Sequence, residues 1–197
     1  MTGPPAAAAQ FGGATTALTV NNLTPATAYT FVVTASDAAG NVSGASNAVS
    51  VTTDPASSTT NLALHRPTSE SSHNQTYASG NAVDGDAGSY WESANNAFPQ
   101  TITVDLGSAR SVNKVVLKLP PVSAWGARTE TLSVLGSTDG SNFSTLVGSG
   151  GVTLDAASGN TATITFNATS QRFIRLNVTG NTGWPAAQLS EVEVYGP

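Results

Sequence analysis

Arg172-Phe173-Ile174-Arg175-Leu176-Asn177-Val178 puts Ile174, Leu176 and Val178 on one side of an extended chain and Arg175 and Asn177 on the other. That period of two is the signature of a strand with one face in a core. Working outward, segments 101–106, 112–119, 131–135, 161–166 and 189–195 read as further short strands rich in Val, Ile, Leu and Thr. Ser137-Thr138-Asp139-Gly140-Ser141 and Ala156-Ala157-Ser158-Gly159-Asn160 supply tight turns between them. The spacing predicts an all-β fold, a jelly-roll β-sandwich over residues 61–197.

Composition agrees with this and narrows the function. The 197 residues include 19 glycines and one methionine, with 39% hydrophobic and 10% charged residues. Such a chain has the apolar content for real cores but favours strands and turns over long helices. Seven Lys and Arg against twelve Asp and Glu leave a net charge of −5. The cations are scattered singly, so no basic stripe meets nucleic acid or an anionic membrane. No apolar run approaches the roughly 20 residues of a membrane span, and no export signal is readable within the sequence. The absence of cysteine excludes a disulfide framework without fixing the compartment. A monomer is expected.

Residues 1–15 read as a Pro- and Ala-rich tail, 16–53 as a partial domain, and 54–60, Asp54-Pro55-Ala56-Ser57-Ser58-Thr59-Thr60, as a linker. Within 16–53, strands are predicted at 17–20, 27–35 and 48–52. Leu23-Thr24-Pro25-Ala26-Thr27-Ala28-Tyr29, followed by Asp37-Ala38-Ala39-Gly40-Asn41-Val42-Ser43, resembles the second half of bacterial fibronectin type III domains. The resemblance implies that Tyr29 buries its ring and bonds its hydroxyl back to the turn near Leu23. It also implies a truncated β-sandwich, because a whole domain of that type needs about seven strands.

In the larger segment, Asn61-Leu62-Ala63-Leu64, Ala82-Val83-Asp84-Gly85-Asp86-Ala87-Gly88-Ser89-Tyr90-Trp91, Val104-Asp105-Leu106-Gly107, Ser137-Thr138-Asp139-Gly140, Arg172-Phe173-Ile174-Arg175-Leu176 and Leu189-Ser190-Glu191-Val192-Glu193-Val194-Tyr195 follow one another in a familiar order. They resemble the discoidin family of coagulation factor V/VIII C-type domains, and within it the family 32 carbohydrate-binding modules. The resemblance covers 61–197. It implies a secreted, extracellular setting and a non-catalytic module of a bacterial polysaccharide-degrading enzyme such as a glycoside hydrolase. Its partner would be a polysaccharide or glycan, glucan-like or galactose-containing.

Asp84-Gly85-Asp86 and Ser89 gather hard oxygens on a tight loop, which suits calcium but equally makes a solvated turn. Resemblance to the family implies a structural Ca²⁺ held by the carbonyl of Asn81, Asp84, Asp86, Ser89, the carbonyl of Ser190, and Glu191.

A sugar is held by a flat aromatic ring against its C–H face and by a few hydrogen bonds to its hydroxyls. Trp125 and Trp184 lie in Gly- and Pro-flanked loops and are the candidate platforms; Arg128, Asn181 and Glu92 are the candidate polar contacts. Galactose-selective relatives carry a histidine where Glu92 follows Trp91, so galactose and glucan are both expected as ligand classes. Trp91 reads as core, His65 and His73 as surface residues without chemistry, and Arg172 and Arg175 as partners of carboxylates. Catalysis is not expected: no Gly-x-Ser-x-Gly elbow or His-Glu-x-x-His is present, and the acids are better used at the ion. An adhesin-type discoidin domain that binds protein is the alternative.

Overall fold

The computed structural model describes residues 17, 19–53 and 58–197. The chain divides into two compact units, one up to Ala56 and one from Ser57. That division lies inside the Pro, Ser and Thr stretch at 54–60. The tail at 1–15 lies outside the described residues.

In the first unit, β1 (Ala28–Phe31) pairs antiparallel with β2 (Val49–Thr52). Tyr29 is its one buried large side chain among the described residues, and its hydroxyl accepts the Thr24 N–H at 2.9 Å, as the tyrosine reading expected. Val32, Val33, Val42, Val49 and Val51 stay exposed. The strand expected at 17–20 does not form at Ala17, Thr19 or Val20.

The second unit is an all-β sandwich. It contains β3 (Thr68–Glu70), β4 (Trp91–Glu92), β5 (Gln100–Lys118), β6 (Arg128–Ser137), β7 (Ser144–Leu154), β8 (Thr161–Asn181), β9 (Gln188–Leu189) and β10 (Glu191–Tyr195). The main sheet runs β10-β5-β8-β6-β7, with β3 also on β5, while β4 and β9 form a separate pair. The two strands predicted at 101–106 and 112–119 are one continuous β5, and those at 161–166 and 172–178 are one β8. Register shifts between Asp105 and Arg110 and between Val112 and Lys114 mark where the long pair departs from regular pairing. As a result, the first half of β5 pairs with β3 and the second half with β10.

Alternation places Ile102, Val104, Leu106, Leu132, Val134, Ile174, Leu176, Val178, Val192 and Val194 in one core around Trp91. Trp91 is fully buried, and its indole N–H donates to the Ser72 carbonyl at 3.0 Å, in keeping with the core reading. Ala186, Ala187 and Leu189 are also fully buried. They carry the 181–189 segment back into the core beside Trp91.

Candidate functional site

Two candidate centres follow from this frame, an oxygen-rich loop at 81–91 and a cluster of loops around Trp184.

In the first, Gly85 adopts a φ of 82°, the left-handed turn that a glycine makes without strain. The turn brings three oxygens around the Ser89 Oγ: the Asn81 carbonyl at 3.1 Å, Asp84 Oδ2 at 2.7 Å and the Asp86 carbonyl at 3.0 Å. One hydroxyl proton serves only one of the three. Asp86 brings its main-chain carbonyl to the cluster, and its Oδ1 accepts the Gly88 N–H at 2.8 Å.

Glu191, at the start of β10, meets this loop. It accepts a hydrogen bond from the Gly85 N–H, and burial together with the Asp84 charge pushes its carboxyl up to about 7. Its Oε1 and the Ser190 Oγ are buried without a hydrogen-bond partner among the described residues. Two facing carboxylates, an orphaned buried oxygen and converging carbonyls fit a hard cation. Among the described residues no three His, Cys, Asp or Glu side chains converge as a metal site, so main-chain oxygens would have to complete the set.

In the second centre the two tryptophans separate. Trp184 is 47% exposed. Trp125 is half-buried and packs against the core; the Arg128 guanidinium lies over its ring at 5.0 Å and Tyr90 meets it in a T-shaped contact at 4.7 Å. Tyr90 in turn stacks on Tyr77 at 4.5 Å. Trp125 is therefore built into an aromatic stack, whereas Trp184 leaves about half of its surface open to solvent.

The polar candidates prove to be largely engaged within the protein. Glu92, expected to face a sugar, is 5% exposed; its oxygens accept from Gln188 Nε2 at 2.6 Å and Asn74 Nδ2 at 2.9 Å. The cause is pairing of β4 with β9, which sets Glu92 opposite Gln188. Arg128 is also buried, donating to Gln188 Oε1 at 2.5 Å and to the Gly126 carbonyl at 3.2 Å. Asn181 Nδ2 donates to Glu130 Oε1 at 3.0 Å and to the Ala186 carbonyl at 2.9 Å, while its Oδ1 accepts the Gly183 N–H at 2.9 Å. A Cβ on Gly183 would stand 2.8 Å from Arg128 Cβ, so a glycine there lets the Trp184 loop rest on Arg128. On the other side the Asn96 N–H donates to the Pro185 carbonyl at 2.7 Å.

Glu130, Gln188 and Asn74 were not among the expected residues. The sequence did carry a signal for Glu130, because it is in phase with the inward Leu132 and Val134. Elsewhere, Arg172 makes the expected carboxylate pair, two 2.8 Å bonds to Asp105. Arg175 does not: it donates to Thr103 Oγ1 at 2.8 Å and lies 3.7 Å over the Phe143 ring. His73 bonds Glu70 at the surface at 2.7 Å.

The family model of the F5/8 type C domain matches residues 67–192. The chain belongs to this family. Among solved structures this F5/8 type C domain is similar to chitosan-binding module 2, in complex with chitotriose, of a chitosanase/glucanase from Paenibacillus sp. IK-5. The identity is 32% and the TM-score 0.55, over 69% of this chain and 100% of that one. It is also similar to the family 32 carbohydrate-binding module of AlyQ in complex with 4,5-unsaturated mannuronic acid, at 27% identity and TM-score 0.53, over 65% and 92% of the two chains. A third similar structure is a family 32 module of a family 31 glycoside hydrolase from Clostridium perfringens, at 25% identity and TM-score 0.56, over 68% and 92%. No curated protein matches the chain.

Proposed function

We propose that residues 61–197 form a non-catalytic carbohydrate-binding module that holds a neutral face of a polysaccharide, glucan-like or galactose-containing, against Trp184. The observation that carries this reading is the exposed indole of Trp184 on a loop seated on Arg128 and tied to the core through Asn181. An exposed tryptophan held by buried polar groups is a rigid apolar plate, the surface a pyranose C–H face needs. The carbohydrate-binding modules that the chain resembles support the same reading. Because Glu92 and Arg128 are buried and Asn181 is bonded to Glu130, Ala186 and Gly183, stacking outweighs charge in recognition. Affinity per site then falls in the range of about micromolar to millimolar.

The Asn81, Asp84, Asp86 and Ser89 loop, with Ser190 and Glu191, is proposed to hold a structural Ca²⁺ between the 81–91 loop and β10. A bound Ca²⁺ would neutralise the Asp84 and Glu191 charges and satisfy the orphaned Glu191 oxygen. The wider setting in this reading is extracellular, as a binding part of a secreted polysaccharide-degrading enzyme, with residues 16–53 as a partial fibronectin type III spacer. Tyr29 and its bond to Thr24 support that last assignment.

A glycan array with the full chain, with and without chelator, tests the function. Retention of oligosaccharides sharing one backbone is expected, and silence across the whole array from a folded protein would contradict it.

A further inference from the structure

Beneath the Trp184 loop lies a buried polar network that glycan contact does not explain. Glu130 points into the core end of the sandwich from β6 and is fully buried. Its Oε1 accepts two bonds, from the Gln188 N–H at 3.0 Å and from Asn181 Nδ2 at 3.0 Å. The same Gln188 bridges Arg128 and Glu92 through its side chain, and Glu92 reaches Asn74. Four segments of chain, around residues 74, 92, 128–130 and 181–188, thus meet through one set of hydrogen bonds centred on Glu130 and Gln188.

Burial pushes the Glu130 carboxyl up to about 8, opposed by the Gln188 N–H and the nearby Arg128 charge. Burial therefore favours the neutral form of this carboxyl. An apolar residue would satisfy this inward position in the strand alternation, so a carboxyl is retained at a desolvation cost. The bonds to Asn181 and Gln188 and the nearby Arg128 charge offset part of that cost, while Oε2 has no hydrogen-bond partner among the described residues; Asn181 and Gln188 bracket the segment that carries Trp184.

We infer that Glu130 is a positioning residue for glycan recognition, fixing Asn181 and Gln188 so that the loop between them holds Trp184 ready for the sugar. The inference rests on the proposed glycan-binding function. It adds that affinity depends on a residue that no ligand touches. Removing the acceptor takes one of the two Nδ2 bonds from Asn181 and leaves it the Ala186 carbonyl, which weakens its hold on the Gly183 N–H and lets Trp184 sample orientations that a bound sugar must then restrict.

The test uses the full chain and two variants. Glu130→Met fills the space without an acceptor, and Glu130→Gln keeps an accepting oxygen. Amide hydrogen exchange reads the loop without any ligand; titration with an array-identified oligosaccharide reads affinity. In Glu130→Met the Gly183 and Gln188 amides should exchange at least tenfold faster while those of Val116 and Val194 keep their protection, and affinity should fall at least tenfold. Glu130→Gln should restore affinity to within about threefold of the parent.

Unchanged exchange at Gly183, unchanged affinity in Glu130→Met, or equal losses in both variants would overturn the inference. If Glu130→Met fails to fold, Glu130→Asp, which keeps the carboxyl but retracts it by one methylene, takes its place. The same loosening and a fivefold or greater loss of affinity are expected of it, and parental behaviour would overturn the inference. If the parent binds no glycan, the functional reading fails by itself, while the exchange data still decide whether Glu130 orders the loop.

Discussion

Trp184 and Trp91 are chemically the same residue in opposite roles, and one substitution at each separates them. Trp184→Ala removes an exposed plate, so the thermal midpoint should barely move while glycan affinity drops roughly thirtyfold, the scale of a binding hot spot of about 2 kcal/mol. Trp91→Ala empties the centre of the core and should cost about 3–5 kcal/mol in a denaturant titration. The exposure of one and the burial of the other were legible in the sequence, since Trp184 sits between Gly183 and Pro185 and Trp91 follows the acidic loop. The polar residues were not. Glu92 was expected at the sugar because it stands where galactose-selective relatives carry a histidine, and Arg128 because it closes the Trp125 loop. Pairing of β4 with β9 instead turns Glu92 onto Gln188, and that pairing joins residues about 97 apart in sequence, beyond any local pattern.

At the scale of elements, period-two alternation located every strand of the main sheet except β7 and the three-residue β3. Strand β7 contains Gly148, Gly150 and Gly151, whose missing side chains erase the alternation, and its place is set by pairing with β6. The continuity of β5 and β8 was likewise invisible, because the apolar alternation lapses at 107–111 and 167–171 although the backbone keeps its ladder through or close to them. The hairpin β1–β2 is a two-stranded pair with exposed valines, and such pairs are marginal in isolation. Limited proteolysis should therefore cut first before residue 58 and leave a resistant fragment that begins near it. Between the acidic loop and β10, saturating Ca²⁺ at about 100 times its dissociation constant should add about 2.7 kcal/mol of stability. Asp84→Asn combined with Glu191→Gln should abolish that gain, which calorimetry with and without chelator reads directly.

For the whole molecule, the buried carboxyl of Glu130 links stability to pH. Its folded value of about 8 lies above the ordinary 4.5. Its contribution is fully present below about pH 4.5 and is lost as pH rises through about 8, because the unfolded chain releases the proton first. Urea midpoints should fall from pH 5 to pH 8, and Glu130→Gln should reduce the slope. The β-sandwich, its boundary near residue 57 and the position of the acidic loop all follow from patterns along the chain. The geometry of the ligand end depends on which buried groups find one another across it. Native affinity electrophoresis of the full chain and of Trp184→Ala, through gels containing a panel of neutral polysaccharides, tests the central claim most directly. At least one polysaccharide should retard the parent and leave the variant unretarded; equal mobility of the two in every gel, with both folded, would contradict binding through Trp184.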